Sequence, residues 1–369
     1  MMRSLHVITS DARRGAETFA IGLCAQLETQ HHVARTVALQ PSDEPMSLGV
    51  PALGRSRRSV QTLAGLRKAA ANADVVVAHG SSTLEACVFA LAGTAVPFVY
   101  RNIGDPGFWI EGGWRRRWVG LSLRRATRVA ALWPEAASRI ATLHRVPRDR
   151  IDVIPNAVDE SRFALAGAEE RRRLRAALGV DRRVPCFATV GALSFEKDVA
   201  TAIAATASVD GAILLIAGTG PLREELERLA RRVAPGRVRF LEQVEDLRPV
   251  YAAADLLLLP SRSEGMPAVI LEAGLVGTAT VSTSVGAVPA MIDDGVTGFV
   301  SGPPDADRFV FRVVEAMPSA SEVGARAAET LRGPYSMERV ADQWSQTLEA
   351  AVGRGRRATT NGRGLSRRR

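Results

Sequence analysis

The chain has 369 residues, long enough for two domains with sizeable cores. Its 46% hydrophobic and 24% charged content is that of a globular protein and excludes a disordered or fibrous one. A net charge of +9 and a pI near 10.5 invite a nucleic-acid reading, but residues 353–369 carry seven arginines and no acid, and without those seven the charge falls from +9 to +2. The basicity thus belongs mainly to a Gly/Arg tail that reads as disordered, on a nearly balanced body. Cys24, Cys87 and Cys186 are scattered, show no zinc spacing and fit a reducing compartment. The start, MMRSLHVIT, moves straight into a short apolar strand, and the stretch 86–100 is too short to span a bilayer. No signal peptide, no membrane span and a cytoplasmic location are therefore expected.

The elements alternate strand and helix. Leu5–Ile8 reads as the first strand, residues 10–15 as a polar loop and Glu17–Leu27 as a helix, the strand–glycine loop–helix order of mononucleotide-binding folds. Val33–Leu39 is a second strand, followed by a loop over 40–60. Asp74–Ala78 is a strong strand ending at His79, at the carboxyl end where ligands of α/β sheets gather; a structural histidine and a ligand-facing one both fit. Pro97–Tyr100 is the next strand, and RNIGDPGFW after it brings Arg101, Asn102 and Asp105 to the same end. The segment Trp114–Arg128 holds six arginines, two tryptophans and no acid. As a helix it suits a solvated surface, an anionic membrane or an anionic acceptor, with the plain surface helix preferred. Later strands are expected at Pro185–Val190, Ala212–Ala217, Val238–Leu241 and Leu256–Leu259, and helices at Glu169–Leu178, Asp305–Met317 and Tyr335–Val352.

The chain is organised around residues 254–300. The apolar run Leu256–Leu259 ends at Pro260, a polar loop covers 261–265, and a helix is expected with Pro267 as its first residue, where a missing N–H costs nothing. Glu264 lies in the loop and Glu272 in the helix, roughly 7–8 Å beyond Pro267 at about 1.5 Å per residue. Between them lie the N–H groups of the first turn, which favour an anion. Carboxylate, anion seat and carboxylate match the order of sugar hydroxyls, diphosphate and ribose hydroxyls in a nucleotide sugar. An acidic residue near a helix start and another on its face, with no ligand between, have the same spacing.

The residue order SRSEGMPAVILEA followed by GAVPAMIDDGVTGFV resembles the donor-site signature of the retaining GT-B glycosyltransferases of family 4. The resemblance implies an α/β protein of GT-B architecture, with two Rossmann-like, doubly wound domains facing across a cleft. It implies that Glu264 holds the donor sugar near its anomeric centre, that Gly265, Met266 and Pro267 form the anion seat, and that Glu272 holds the ribose. GALSFEKD (191–198) resembles the family's G-R-L-x-x-x-K loop, which makes Lys197 the diphosphate ligand; Ala192 stands where the pattern has Arg, so one cation is missing from the diphosphate site unless Arg13, Arg14 or Arg262 supplies it. The loop RRGAE resembles the family's glycine-containing N-terminal loop, which brings Arg13, Arg14 and Gly15 to the donor diphosphate, though two solvated arginines on a surface turn fit as well. His79, Arg101 and Asn102 become acceptor-side or cleft residues. VIPNAVD (153–159) resembles the family's inter-domain VIPNGVD. GTGPLREELERLA reads as a packing turn into a helix.

The domains expected are 1–158 on the acceptor side, joined by a crossover helix 335–352, and 159–334 for the donor, with the tail at 353–369. The reaction implied is sugar transfer from a nucleoside diphosphate sugar to an acceptor hydroxyl on a glycan, a lipid-linked molecule or a small molecule, with anomeric configuration retained. No metal and no bound cofactor are expected, since Lys197 with the helix N-terminus supplies the counter-charge. An acceptor in the membrane makes Trp114–Arg128 a contact with its anionic inner face. Two alternatives stay open: another GT-B enzyme such as a nucleotide-sugar epimerase, and a non-catalytic relative or Arg-tail nucleic-acid binder.

Overall fold

The structure is a computed structural model that describes residues 1–43, 46–106 and 113–365, without the side chains of Arg115 and residues 355–365. The chain divides into two compact units, Met1–Ala157 with Met337–Arg369, and Val158–Ser336. These divisions fall after residues 157 and 336, against 158 and 334 in the sequence reading.

The first unit contains β1 Arg3–Ser10, α1 Gly15–Thr29, β2 Val33–Gln40, α2 Val60–Ala70, β3 Val75–His79, α3 Ser81–Ala90, β4 Phe98–Arg101, α4 Gly113–Arg125, β5 Arg128–Ala131, α5 Pro134–His144 and β6 Ile151–Val153. Its six strands are parallel, in the order β2-β1-β3-β4-β5-β6. Strands buried on both faces read as continuous apolar runs, and every residue of β3 (VVVAH) is buried. The core gathers Leu23 and Leu27 of α1 with Val75, Val77 and Val99 of the sheet. The order reverses between β1 and β3, so the loops after these two strands, at residues 11–14 and 80, flank the switch point where ligands of open α/β sheets bind.

The second unit contains α6 Ala168–Ala177, β7 Cys186–Val190, α7 Val199–Ala207, β8 Ile213–Ala217, α8 Arg223–Val233, β9 Val238–Phe240, α9 Arg248–Ala253, β10 Leu256–Leu259, α10 Ala268–Val276, β11 Ala279–Ser282, α11 Val288–Met291, β12 Phe299–Val300, α12 Ala306–Ala316 and α13 Ala320–Leu331. Its parallel sheet runs β12-β11-β10-β7-β8-β9, the doubly wound order of dinucleotide-binding folds. All four leucines of β10 are buried, as the apolar run requires. Here the switch point lies between β7 and β10, which pair in parallel. The loops that follow these strands, GALSFEKD and SRSEGMP, therefore lie side by side at its mouth. The GTG turn is a packing turn, as expected: Gly218 holds φ +145, and a Cβ there would stand 1.9 Å from the carbonyl oxygen of Gly191.

Several elements differ from the sequence reading. Pro267 is the N-cap of α10, in extended backbone, and Ala268 is the first helical residue. Arg128 leaves the Arg/Trp helix and opens β5, where it pairs with Asp152 at 2.5 Å. Helix α2, capped by Ser59 accepting from the N–H of Thr62, follows the loop over 40–60, and α3 follows β3; neither was identified. The last helix, α14 Met337–Leu365, continues past Val352, so the stretch expected to be disordered is helical as far as Leu365; its Arg354 pairs with Asp149 at 2.6 Å, which anchors the extension. Residues 366–369 of that tail lie outside the described residues, as do residues 107–109 of the RNIGDPGFW loop.

Helix α14 belongs to the first unit and brings Trp344 into its core, fully buried, with the indole stacked on His79 at 6.2 Å. Trp344→Ala is expected to cost about 3–5 kcal/mol of unfolding free energy in urea titrations. A loss below about 1 kcal/mol would show that α14 is not part of that core.

Candidate donor site

The second unit brings together the residues singled out around the β7–β10 switch point. Lys197 closes a short 3₁₀ turn, Phe195–Lys197, and Asp198 behind it holds φ +46 as it starts α7. The lysine stem runs along Gly191, and its ammonium donates to Glu264 Oε1 at 2.6 Å. The pair is largely sheltered: the Lys197 side chain is 27% exposed and that of Glu264 is 8%. Ser261 Oγ donates to the same Oε1 at 2.7 Å. Glu264 is thus aimed by two donors that land on one oxygen, and the other oxygen keeps its lone pairs.

The backbone behind Glu264 is tightly packed. Gly286 holds φ +57, and a Cβ there would lie 2.3 Å from the carbonyl oxygen of Glu264. The N–H of Ala287 donates to the carbonyl of Gly265 at 2.7 Å. The turn at residues 284–289 (SVGAVP) therefore backs the loop at residues 263–265 (SEG). Met266 is buried, Gly265 is half-buried, and α10 begins immediately after Pro267. Its first-turn amides have no intrahelical partner, and its dipole presents positive partial charge there.

One turn into α10, the half-buried Glu272 receives a hydrogen bond from Tyr251 Oη at 2.6 Å. Burial of its carboxyl raises the Glu272 pKa, while the Tyr251 bond and the charge of Arg162 pull the other way. Arg262, half-exposed, lies on the loop of Glu264 and packs against the turn that carries Lys197: its N–H donates to the carbonyl of Glu196, its guanidinium pairs with Asp198 at 2.8 Å and stacks over Phe195 at 4.7 Å. Ala192 is exposed on that loop. Sequence reasoning missed Ser261 and Tyr251. Ser261 was visible beside Glu264 in the motif. Tyr251 lies 21 residues from Glu272 and carried no local signal.

In the first unit the candidates fall into two sets. Arg14 is the N-cap of α1, Arg13 is half-buried and Gly15 is exposed, with nothing within 4 Å of an added Cβ. These three span the end of the loop after β1 and the start of α1, at the switch point. The acceptor-side set is placed differently. His79 is 2% exposed and Arg101 is 1% exposed. His6 Nδ1 and His79 Nε2 lie 3.1 Å apart, the Arg101 guanidinium reaches Asn156 and His79, and it lies over the Phe19 ring at 3.7 Å. Burial lowers the His79 pKa well below its usual value and holds His6 at about 3, so both rings are neutral; it draws Arg101 down to about 9 against the opposing charge of Glu17. Asn102 is half-buried and its N–H donates to the carbonyl of Ala130. His79 and Arg101 thus form an internal network rather than an exposed surface.

Among the described residues, no group of three or more His, Cys, Asp and Glu could hold a metal ion, and no helix is long and apolar enough to cross a membrane.

Two family models match, one in each half of the chain. Residues 13–162 match Glycosyltransferase Family 4, and residues 184–318 match Glycosyl transferases group 1. D-inositol 3-phosphate glycosyltransferases are similar: that of Mycobacterium sp. (strain KMS) is 32% identical over 243 residues, which is 62% of this chain and 51% of that protein. That of Mycobacterium tuberculosis (strain F11) is 33% identical over 245 residues, 62% of this chain and 49% of the relative. The match spans about half the length of these relatives. Among solved structures, Anabaena Alr3699/HepE in complex with UDP-glucose superposes with a TM-score of 0.82 at 19% identity, covering 95% of this chain and all of that one. WaaG, a glycosyltransferase involved in lipopolysaccharide biosynthesis, gives 0.74 at 17%, covering 92% and 98%. At such identities these structures speak for the fold, and the family models for descent: the chain belongs to the glycosyl transferases of group 1 and family 4, with the two Rossmann-like sheets of GT-B.

Proposed function

We propose that this chain is a retaining glycosyltransferase that moves a sugar from a nucleoside diphosphate sugar to an acceptor hydroxyl without a metal ion. The observation that carries this reading is the Lys197–Glu264 pair, held at 2.6 Å at the β7–β10 switch point and followed by the N-terminus of α10 and Glu272. A cation beside a carboxylate suits the junction between the diphosphate and the sugar. The glycosyltransferase names of the relatives support the activity, and the UDP-glucose complex of a structural neighbour makes UDP the first nucleotide to test.

The chemistry follows from where the charges lie. Lys197 and the amides of α10 take the diphosphate and stabilise the charge it gains as the anomeric C–O bond breaks, its electron pair leaving with the phosphate. Arg262, on the neighbouring loop and held beside the Lys197 turn by Asp198, supplies the second positive charge that Ala192 lacks. Glu264 accepts hydrogen bonds from the sugar and offsets the positive charge of an oxocarbenium-like transition state, as carboxylates do in glycoside hydrolysis. The acceptor oxygen bonds to the anomeric carbon from the face the diphosphate leaves, and its proton passes to the departing phosphate oxygen. Glu272 accepts from the ribose hydroxyls. In the first unit, Arg13, Arg14 and Gly15 at the switch point are the part offered to ligands, while His79 and Arg101 are held inside a buried network.

A second observation favours a membrane-borne acceptor. On α4, Trp114 is 75% exposed, Trp118 40% and Leu121 47%, and Phe89 of α3, 49% exposed, stacks on Trp118 at 5.8 Å. Arg117 and Arg125 are exposed on the same helix, which has no acid. Apolar rings flanked by arginines suit the surface of an anionic bilayer and support the reading of a peripheral position at the cytoplasmic membrane face.

Two experiments test these readings. With donor and acceptor in hand, NMR of the product is expected to show retained anomeric configuration, and Glu264→Gln and Lys197→Ala are each expected to lower kcat/KM by about 100-fold or more. Full rates in both variants, an inverted product, or an altered donor sugar with no transfer would each contradict the proposal. In vesicle sedimentation, wild type is expected to bind anionic but not neutral vesicles, salt-sensitively, and Trp114→Ser/Trp118→Ser to lose that binding. Equal partitioning of the two proteins would make α4 a plain surface helix.

A further inference from the structure

Tyr251 plays no part in the reading above, yet it is a closely held polar side chain beside Glu272. It belongs to α9 and is fully buried. A buried tyrosine hydroxyl needs a partner, and this one donates to Glu272 Oε2 at 2.6 Å. The ring is fixed by Phe163, tilted against it with centroids 6.2 Å apart. The backbone is fixed as well: Thr278 Oγ1, just beyond α10, donates to the carbonyl of Tyr251 at 2.7 Å. Helices α9 and α10 are thus tied twice, by the tyrosine side chain at Glu272 and by the tyrosine carbonyl at Thr278.

We propose that Tyr251 is a positioning residue for nucleotide recognition, clamping one oxygen of Glu272 so that the carboxylate is aimed at the ribose hydroxyls. This rests on the reading of Glu272 as the ribose ligand. An ionised carboxylate has about four acceptor positions on two oxygens. Tyr251 occupies one of them on Oε2, and the rest stay available to a vicinal diol. The clamp also bears on charge. Burial favours the neutral carboxyl of Glu272; the groups that oppose it are the Tyr251 hydroxyl from α9 and the charge of Arg162, in the segment before α6. Removing the hydroxyl leaves Arg162 to do this alone. The Glu272 pKa then rises. Binding that needs the ionised carboxylate is complete above that pKa and is lost as pH falls through it, so the acid limb of the affinity profile moves to higher pH.

The test uses calorimetric titration of the full chain with whichever of UDP, GDP and ADP the wild type binds, and with the 2′,3′-dideoxy form of that nucleotide. Tyr251→Phe keeps the ring and deletes only the hydroxyl. It is expected to weaken binding of the ribonucleotide by about tenfold, to leave the dideoxy nucleotide nearly unaffected, and to move the acid limb upward. Glu272→Gln is expected to weaken the ribonucleotide at least as much, and Tyr251→Phe added to it to cost little more. If Tyr251→Phe binds both nucleotides as the wild type does, with an unmoved acid limb, while Glu272→Gln is impaired, the clamp is wrong and the ribose reading stands. Equal loss of both nucleotides in Tyr251→Phe would show a merely structural role and overturn the clamp. If Glu272→Gln binds normally, or the wild type binds none of the three nucleotides, the ribose reading falls and the clamp with it.

Discussion

The account depends on one ion pair, Lys197 with Glu264, and on the topology that makes it. In the second unit the strand order reverses between β7 and β10, so the loops leaving these strands have no covering connection between them. One loop carries the lysine and the other the glutamate, 67 residues later, and the two charges meet at 2.6 Å. A pair this sheltered adds little net stability over an apolar contact, because desolvation offsets the Coulombic gain. Its value is positional. Each charge holds the other where a ligand with a negative phosphate beside a hydroxyl-rich sugar would take both.

The surroundings of that pair are built for rigidity. Gly286 brings the SVGAVP turn against the backbone of Glu264, Gly218 brings the GTG turn against Gly191, and Ser261 shares the oxygen that Lys197 uses. Tyr251 does for Glu272 what Ser261 does for Glu264. Each carboxylate accepts from a neutral hydroxyl that helps to orient it, and Glu264 is further paired with Lys197. The preorganised dipoles and charges cost no rearrangement when a ligand arrives.

Much of the fold was legible in sequence because parallel strands buried on both faces read as apolar runs: VVVA before His79 and LLLL before Pro260 fall where the strands are. Boundaries were less so. Pro267 suits a helix cap as well as a first turn, and nothing local distinguishes them. Arg128 continues the basic periodicity of α4 but is taken by Asp152 on the neighbouring strand. Glu264, Lys197 and Glu272 were legible through their motifs, because loop length and helix start fix their local geometry. His79 and Arg101 show the limit. Their place at strand ends is a local property, but their burial is not: Trp344 arrives from a helix more than 200 residues later and closes over His79. Tyr251 was silent for the same reason, since its partner is set by how α9 packs on α10.

The central claim is that Lys197 and Glu264 mark a diphosphate–sugar junction served by the protein's own cations. The most direct measurement is thermal unfolding of the full chain with UDP, GDP and ADP, in Mg²⁺ and in EDTA, for wild type and Lys197→Ala. One nucleoside diphosphate is predicted to stabilise the wild type, by about 2.7 kcal/mol at 100 times its dissociation constant, equally in Mg²⁺ and EDTA. That stabilisation is predicted to be largely lost in Lys197→Ala. No stabilisation by any of the three, a shift that requires Mg²⁺, or an undiminished shift in Lys197→Ala would contradict the account.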